Sequence, residues 1–154
     1  MADEVDNVDP ARPMTASQAA GLTLGAARRI IAAVQDEARS MAVPLSAAVI
    51  DAGDQLVAFE RMDAADLVTI TLARDKAYSA LMNRMPTGEL AAYAQPGAEF
   101  YGYESLSGGR MIVFAGGMPL QRDGVLVGAL GVSGGSAEQD ARAAEAGVRA
   151  FAAI

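Results

Sequence analysis

Residues 108–135 read Gly108-GGRMIVFAGGMPLQRDGVLVGALGVSGG-Gly135, both end glycines included in the string. Within them Met111–Ala115, Met118–Gln121 and Val125–Val132 are β-compatible apolar runs of strand length. Asp123-Gly124 is the strongest local hairpin signal in the chain, because both residues accept the positive φ that a tight turn requires. Strands joined at hairpin length run antiparallel, whereas parallel neighbours need a long crossover. The segment therefore predicts three strands of an antiparallel sheet. It ends in Gly131-Val132-Ser133-Gly134-Gly135-Ser136, a strand running into a helix start, and Ser136 with Gln139 makes a capping box for a helix reaching about Ala152.

Upstream, Leu45–Asp51 and Gln55–Arg61 flank Ala52-Gly53-Asp54 and predict a β-hairpin. Thr15 with Gln18 is a second capping box. After it Ala20, Leu24, Ala27, Ile31, Val34, Ala38 and Met41 recur at steps of four and three, which predicts one long amphipathic helix ending near Val43-Pro44. Ile70, Ala73, Ala77 and Leu81 mark another helix over Asp66–Arg84, and Pro86 separates it from a shorter helix through Tyr93. Residues 95–109, with Pro96 and four glycines, show no period and are expected to form an ordered loop or helical turns. The predicted order is α-β-β-α-α-β-β-β-α. It is an α+β fold with a five-stranded, largely antiparallel sheet flanked by helices, since Ala-rich amphipathic helices must bury their stripes against it.

With 154 residues the chain fits one domain, read here as residues 15–154 behind an acidic, Pro-punctuated tail, 1–14. The apolar fraction of 52% is enough to build a core. Cysteine and histidine are both absent, which excludes disulfides, thiolate metal sites, Ser-His-Asp triads and His-held zinc or haem. A net charge of −7 argues against nucleic-acid and anionic-membrane partners. Four of the nineteen acids (Asp3, Glu4, Asp6, Asp9) lie in the tail, so the body is closer to neutral. Neither a signal peptide nor a membrane span is legible, and a cytoplasmic location is expected.

Lys76 is the single lysine, on the middle helix beside Leu72, Ala73, Ser79 and Ala80. There an ammonium is either partly shielded with a lowered pKa, and so fit for proton transfer, or snorkels at the surface. Glu99 and Tyr101 stand in the irregular loop with Phe100, Tyr103 and Glu104, and such a loop can close over a ligand with stacking and acid-base groups or simply pack on the domain. Arg61 and Arg110, each at a strand boundary, are candidates to anchor a carboxylate or to form surface ion pairs. Gly116 and Gly117 before Pro119 permit a sharp bend or the close approach of a ligand. Ser133, Gly134 and Gly135 at the helix start offer free N–H groups to an anion, or form only a turn and a cap. The scattered methionines are expected to fill gaps rather than hold a metal.

In combination, Asp75-Lys76-Ala77 with Ser79-Ala80, Gly116-Gly117-Met118-Pro119-Leu120 with Asp123-Gly124, and Gly128-Ala129-Leu130-Gly131-Val132-Ser133-Gly134-Gly135 with Gln139-Asp140 resemble the GlcG/HbpS family, which includes the C-terminal domain of PduO. The resemblance covers nearly everything from Thr15 onward. It implies a profilin-like compact α+β domain, assembly into a homo-oligomer (tetramer or octamer), and haem or another small molecule of a catabolic pathway as ligand. PduO-type haem binding looks to histidine, so here an axial bond would have to come from Tyr, Met or Lys. No cofactor is expected.

Two functions stand side by side. One is a binding domain whose pocket, built from the two glycine pairs, takes a small anionic metabolite or a tetrapyrrole. The other is a cofactor-free isomerase, lyase or hydrolase in which Lys76 or Glu99 moves a proton, Tyr101 donates a hydrogen bond and an arginine anchors a carboxylate. A structural oligomer without ligand is the plain alternative.

Overall fold

The computed structural model describes residues 13–154. The acidic tail, apart from Pro13 and Met14, lies outside them. Four strands, β1 (Ser46–Asp51), β2 (Leu56–Arg61), β3 (Gly117–Arg122) and β4 (Val125–Ser133), form one sheet in the order β2-β1-β4-β3, antiparallel at every pairing. Around it stand α1 (Ala16–Ala19), α2 (Leu24–Ser40), α3 (Val68–Asn83), α4 (Thr87–Ala94), a kinked turn α5 (Leu106–Gly109) and α6 (Ala137–Ala152).

The pleat sorts the core. Val49, Leu130 and Val132 face α2 and α6 and join Ile30, Ile31, Val34, Ala143, Ala144 and Phe151 in the larger cluster. Their neighbours Ile50 and Ala129 point the other way, to Ala77, Ala80 and Leu81 of α3. The result is helix, sheet, helix in three layers, with both sheet faces covered. Each fully buried Ile or Leu contributes roughly 1.5–3 kcal/mol relative to exposure.

Two expectations are corrected. The sheet has four strands rather than five, because Met111–Ala115 forms no ladder. Two of its backbone groups are taken by helix side chains: Ile112 N–H donates to Ser79 Oγ at 2.8 Å, and the Phe114 carbonyl accepts from Thr87 Oγ1 at 2.7 Å. With these groups bonded to α3 and α4, the segment is held against the helices instead of in the ladder. The long first helix is also two. Gly21 takes φ +95°, Leu22 is fully buried, and Thr23 starts α2 by accepting from Ala26 N–H. The expected stripe otherwise holds, with Ala27, Ile31, Val34 and Ala38 buried; Leu24 is exposed, and Ala26 and Ile30 widen the buried face.

Helix α3 lies unusually close to the sheet because β4 carries Gly131. A Cβ there would overlap the Ala73 carbonyl and stand 2.6 Å from Ala77 N. Gly131→Ala is therefore expected to cost about 1–3 kcal/mol or more in urea unfolding, as overpacking against backbone does. Gly25→Ala, whose Cβ meets nothing closer than 3.7 Å, is expected to be neutral or to gain a few tenths of a kcal/mol. Equal effects at the two positions would contradict this packing.

Candidate functional site

Lys76 lies on the buried face of α3, and its side chain is fully enclosed. Its Nζ donates to Asp140 Oδ2 at 2.7 Å and to the Val132 carbonyl at 3.0 Å, and sits 4.8 Å from the centroid of the Phe114 ring. Asp140 belongs to the first turn of α6, and its Oδ1 accepts from Gly135 N–H at 2.8 Å. The anion at this helix start is thus the chain's own carboxylate. Burial pushes the Lys76 ammonium down from its ordinary range and the Asp140 carboxyl up, and the attraction between them opposes both shifts.

The glycines predicted to border a ligand converge on this pair. A Cβ on Gly116 would stand 2.9 Å from Lys76 Nζ and overlap the Val132 carbonyl. One on Gly117 would overlap the Lys76 carbonyl and stand 2.5 Å from Thr87 Cγ2. Gly134 lies against the Pro44 carbonyl and Leu45, and Gly135 against Gln139. Ser133 is buried at the end of β4, opposite Ser46. Pro119 sits in β3, an edge strand, where its missing N–H is tolerated. Space at these positions is taken by protein groups, Lys76 chief among them.

Arg110 is held by two acids. Its Nη1 donates to Asp54 Oδ2 at 2.8 Å and its Nε to Asp75 Oδ1 at 3.0 Å, while its guanidinium lies 3.8 Å from the centroid of the Tyr78 ring. These bonds raise its pKa further above the usual arginine range. Asp54, at the β1–β2 turn, is spent here, and Asp51 makes the turn bonds to Gly53 and Gln55 N–H. A polar hollow of about 350 Å³ lies beside Arg110 and includes Arg74 and Thr71. Arg61 is exposed and donates to the Ala65 carbonyl. Glu99 and Tyr101 lie exposed on the loop after α4. Lys76, the glycine pairs and Ser133 are thus brought together, and Arg110 makes a separate cluster.

A third feature is a hollow of about 320 Å³ with an almost wholly apolar lining. Tyr93 from α4 and Phe100 and Tyr103 from the loop supply its rings, Met85, Leu90 and Ala94 its aliphatic surface, and Asn83 its amide. Successive ring centroids are 6.2 Å apart and tilted by 46° and 48°. Tyr103 Oη donates to Asn83 Oδ1 at 2.5 Å, and Asn83 Nδ2 donates to the Ser79 carbonyl at 2.9 Å. Phe100 and Tyr103 were legible as loop aromatics. Asn83, Met85 and Leu90 gave no signal in the sequence, and neither did the role of Asp140 as partner of Lys76. Among the described residues, no three His, Cys, Asp or Glu side chains cluster as a metal site would require, and no helix is long and apolar enough to cross a membrane.

Asp140→Asn leaves the enclosed ammonium without its counter-charge and Lys76→Met leaves the carboxylate without its own, so each is expected to cost about 3–5 kcal/mol in urea unfolding. The double variant is expected to lose clearly less than the sum, by at least about 1.5 kcal/mol. Additive losses would mean that the two groups do not act as a pair.

A model of the family described as haem degrading protein HbpS-like matches residues 22–149. The "uncharacterized 15.0 kDa protein in dhaT-dhaS intergenic region" of Citrobacter freundii is 36% identical over 137 residues, covering 89% of this chain and 96% of that protein. The corrinoid adenosyltransferase PduO of Salmonella typhimurium is 40% identical over 119 residues, 77% of this chain, and the match spans only 35% of that longer protein. The crystal structure of a PduOC:heme complex superposes with a TM-score of 0.81 at 38% identity, covering 84% of this chain and 94% of that one. The antiparallel sheet with helices on both faces and the glycine-built packing of β4 against α3 thus accompany close sequence similarity, and the chain belongs to the GlcG/HbpS family.

Proposed function

We propose that the chain is a small-molecule-binding domain whose ligand site is the aromatic hollow beneath the loop after α4, taking a planar and predominantly apolar molecule. The observation that carries this reading is the hollow itself. Three tilted rings line about 320 Å³, near the lower end of the usual range for small-molecule sites. Tyr93 and Phe100 stay about half exposed, at 51% and 49%, surface that a stacked ligand covers. The solved PduOC:heme complex in the same family favours a tetrapyrrole among such ligands. A volume this small takes one edge of a macrocycle, not the whole of it.

Iron coordination is a separate matter, and the lining fits it poorly: Met85 offers only a thioether, and Tyr93 and Tyr103 are the other lining side chains of the kind an axial bond needs. Tyr103 spends its hydroxyl hydrogen on Asn83, and no cation is among the lining residues to stabilise a phenolate. Binding on this reading is by ring stacking, without an axial bond. The homo-oligomer belongs to the same proposal: Leu67, Val68 and Tyr101 stand 71%, 61% and 67% exposed, apolar surface that contact between copies would cover.

A cofactor-free catalytic reading has one observation in its favour, the Lys76–Asp140 contact at 2.7 Å, which is a proton-transfer pair not apparent from spacing. Complete enclosure of Lys76 places it second, because substrate would first have to displace Phe114.

Titration with metal-free protoporphyrin and with haem tests the first reading. The two are expected to bind within about threefold of each other, and Phe100→Ala to weaken both by about tenfold, the loss of one stacked ring with its buried area. Binding that requires the iron, or that ignores Phe100→Ala, would contradict it.

A further inference from the structure

The hollow's polar edge has a fixed hydrogen-bond polarity. The Ser79 carbonyl can only accept, so the Asn83 atom 2.9 Å from it is the amide nitrogen and the orientation of the amide is settled by chemistry. Asn83 Oδ1 then faces Tyr103 Oη at 2.5 Å, and since an amide oxygen has no hydrogen, the phenol is the donor. The remaining hydrogen of Nδ2 lies toward Met111 Sδ at 3.6 Å. Every hydrogen of this pair is therefore spent inside the protein. What the pair retains is acceptor capacity, lone pairs on Tyr103 Oη and Asn83 Oδ1.

Most of the rest of the lining shares this bias. Met85, Leu90, Ala94 and Phe100 carry no donor in their side chains, and neither Lys nor Arg is among the lining residues; the half-exposed Tyr93 brings the one further hydroxyl. A carboxylate directed at the Tyr103–Asn83 edge loses its water and meets lone pairs, at a cost that nothing on that edge repays. A ligand without a donor leaves those lone pairs dry and unmatched, which costs affinity in the same way that a site built for an N–H rejects its isostere.

We infer that the end of the ligand held in this hollow is uncharged, planar and carries one N–H or O–H donor directed at the Tyr103–Asn83 pair. This rests on the hollow being the ligand site and names the chemical class it selects. For a larger ligand that bears acids, the acids lie outside the hollow, at its mouth.

The experiment uses three bicyclic probes of one shape with the full chain: indole, benzofuran and indole-2-carboxylate, followed by calorimetry or tyrosine fluorescence. Indole is expected to bind, benzofuran about tenfold more weakly for want of the N–H, and the carboxylate more weakly still. Asn83→Ala releases the Tyr103 hydroxyl hydrogen to the hollow, so the preference for indole over benzofuran is expected to shrink to about twofold or less. Tyr93→Phe removes the other phenol and is expected to leave the preference intact.

Equal binding of indole and benzofuran overturns the inferred polarity while leaving the hollow as the ligand site. Tighter binding of the carboxylate overturns it too, by showing that a cation reaches the ligand. Loss of the preference in Tyr93→Phe but not in Asn83→Ala assigns the wrong residue and overturns it. If none of the probes binds, and Phe100→Ala changes no titration, the hollow itself is not the site and both readings fall together.

Discussion

The buried ion pair between Lys76 and Asp140 is the constraint around which the rest of the structure is arranged. It ties the middle of α3 to the start of α6 and, through the Val132 carbonyl, to the last residues of β4. Two charges removed from water are tolerated only when nearly all their hydrogen-bonding capacity is met. That demand explains the glycines: Gly116 and Gly117 leave room for the lysine stem and its backbone, and Gly135 gives its N–H to the carboxylate. Such a pair adds little net stability over an apolar replacement. What it contributes is register, because an α3 shifted by one residue would bury an ammonium with no partner.

The same arrangement decides where a ligand can go. The start of α6, which as a bare helix N-terminus would attract an anion, already holds Asp140 and the Ser136–Gln139 capping box. Arg110 is committed to Asp54 and Asp75. The open volume of apolar character lies instead at the far end of α3, where Pro86 breaks the helix and the chain turns through α4 into the aromatic loop. On the proposed reading, function falls to the part of the chain with the least regular secondary structure, on a scaffold packed elsewhere.

Much of this was legible beforehand, for reasons that differ by element. Hairpin chemistry at Asp123-Gly124 and around Gly53 fixes antiparallel pairing locally, so the four strands could be read. Met111–Ala115 looked like a strand because its residue types suit one. That its backbone bonds to Ser79 and Thr87 is a tertiary fact with no local sign. The break at Gly21 was hidden by a heptad-like stripe running across it, although Thr23 is a second N-cap that could have revealed it. For the site, Lys76 and the glycine pairs stood out as separate candidates, and their meeting is a product of the tertiary fold. The filling of that space by the lysine itself was not legible, since sequence spacing carries no volume. Asp140 is 64 residues from Lys76, and only the crossing of α3 and α6 over β4 brings them together.

Because Lys76 is the single lysine of the chain, its enclosure can be read directly. Reductive methylation with ¹³C-formaldehyde labels only this amine and the amino terminus. In the native protein the terminus is predicted to react while Lys76 gives no dimethyl-lysine signal, and both are predicted to react in concentrated guanidinium. Labelling of native Lys76 at the rate of the terminus would show that the ammonium stands in water, and the pair around which the domain is built would not exist.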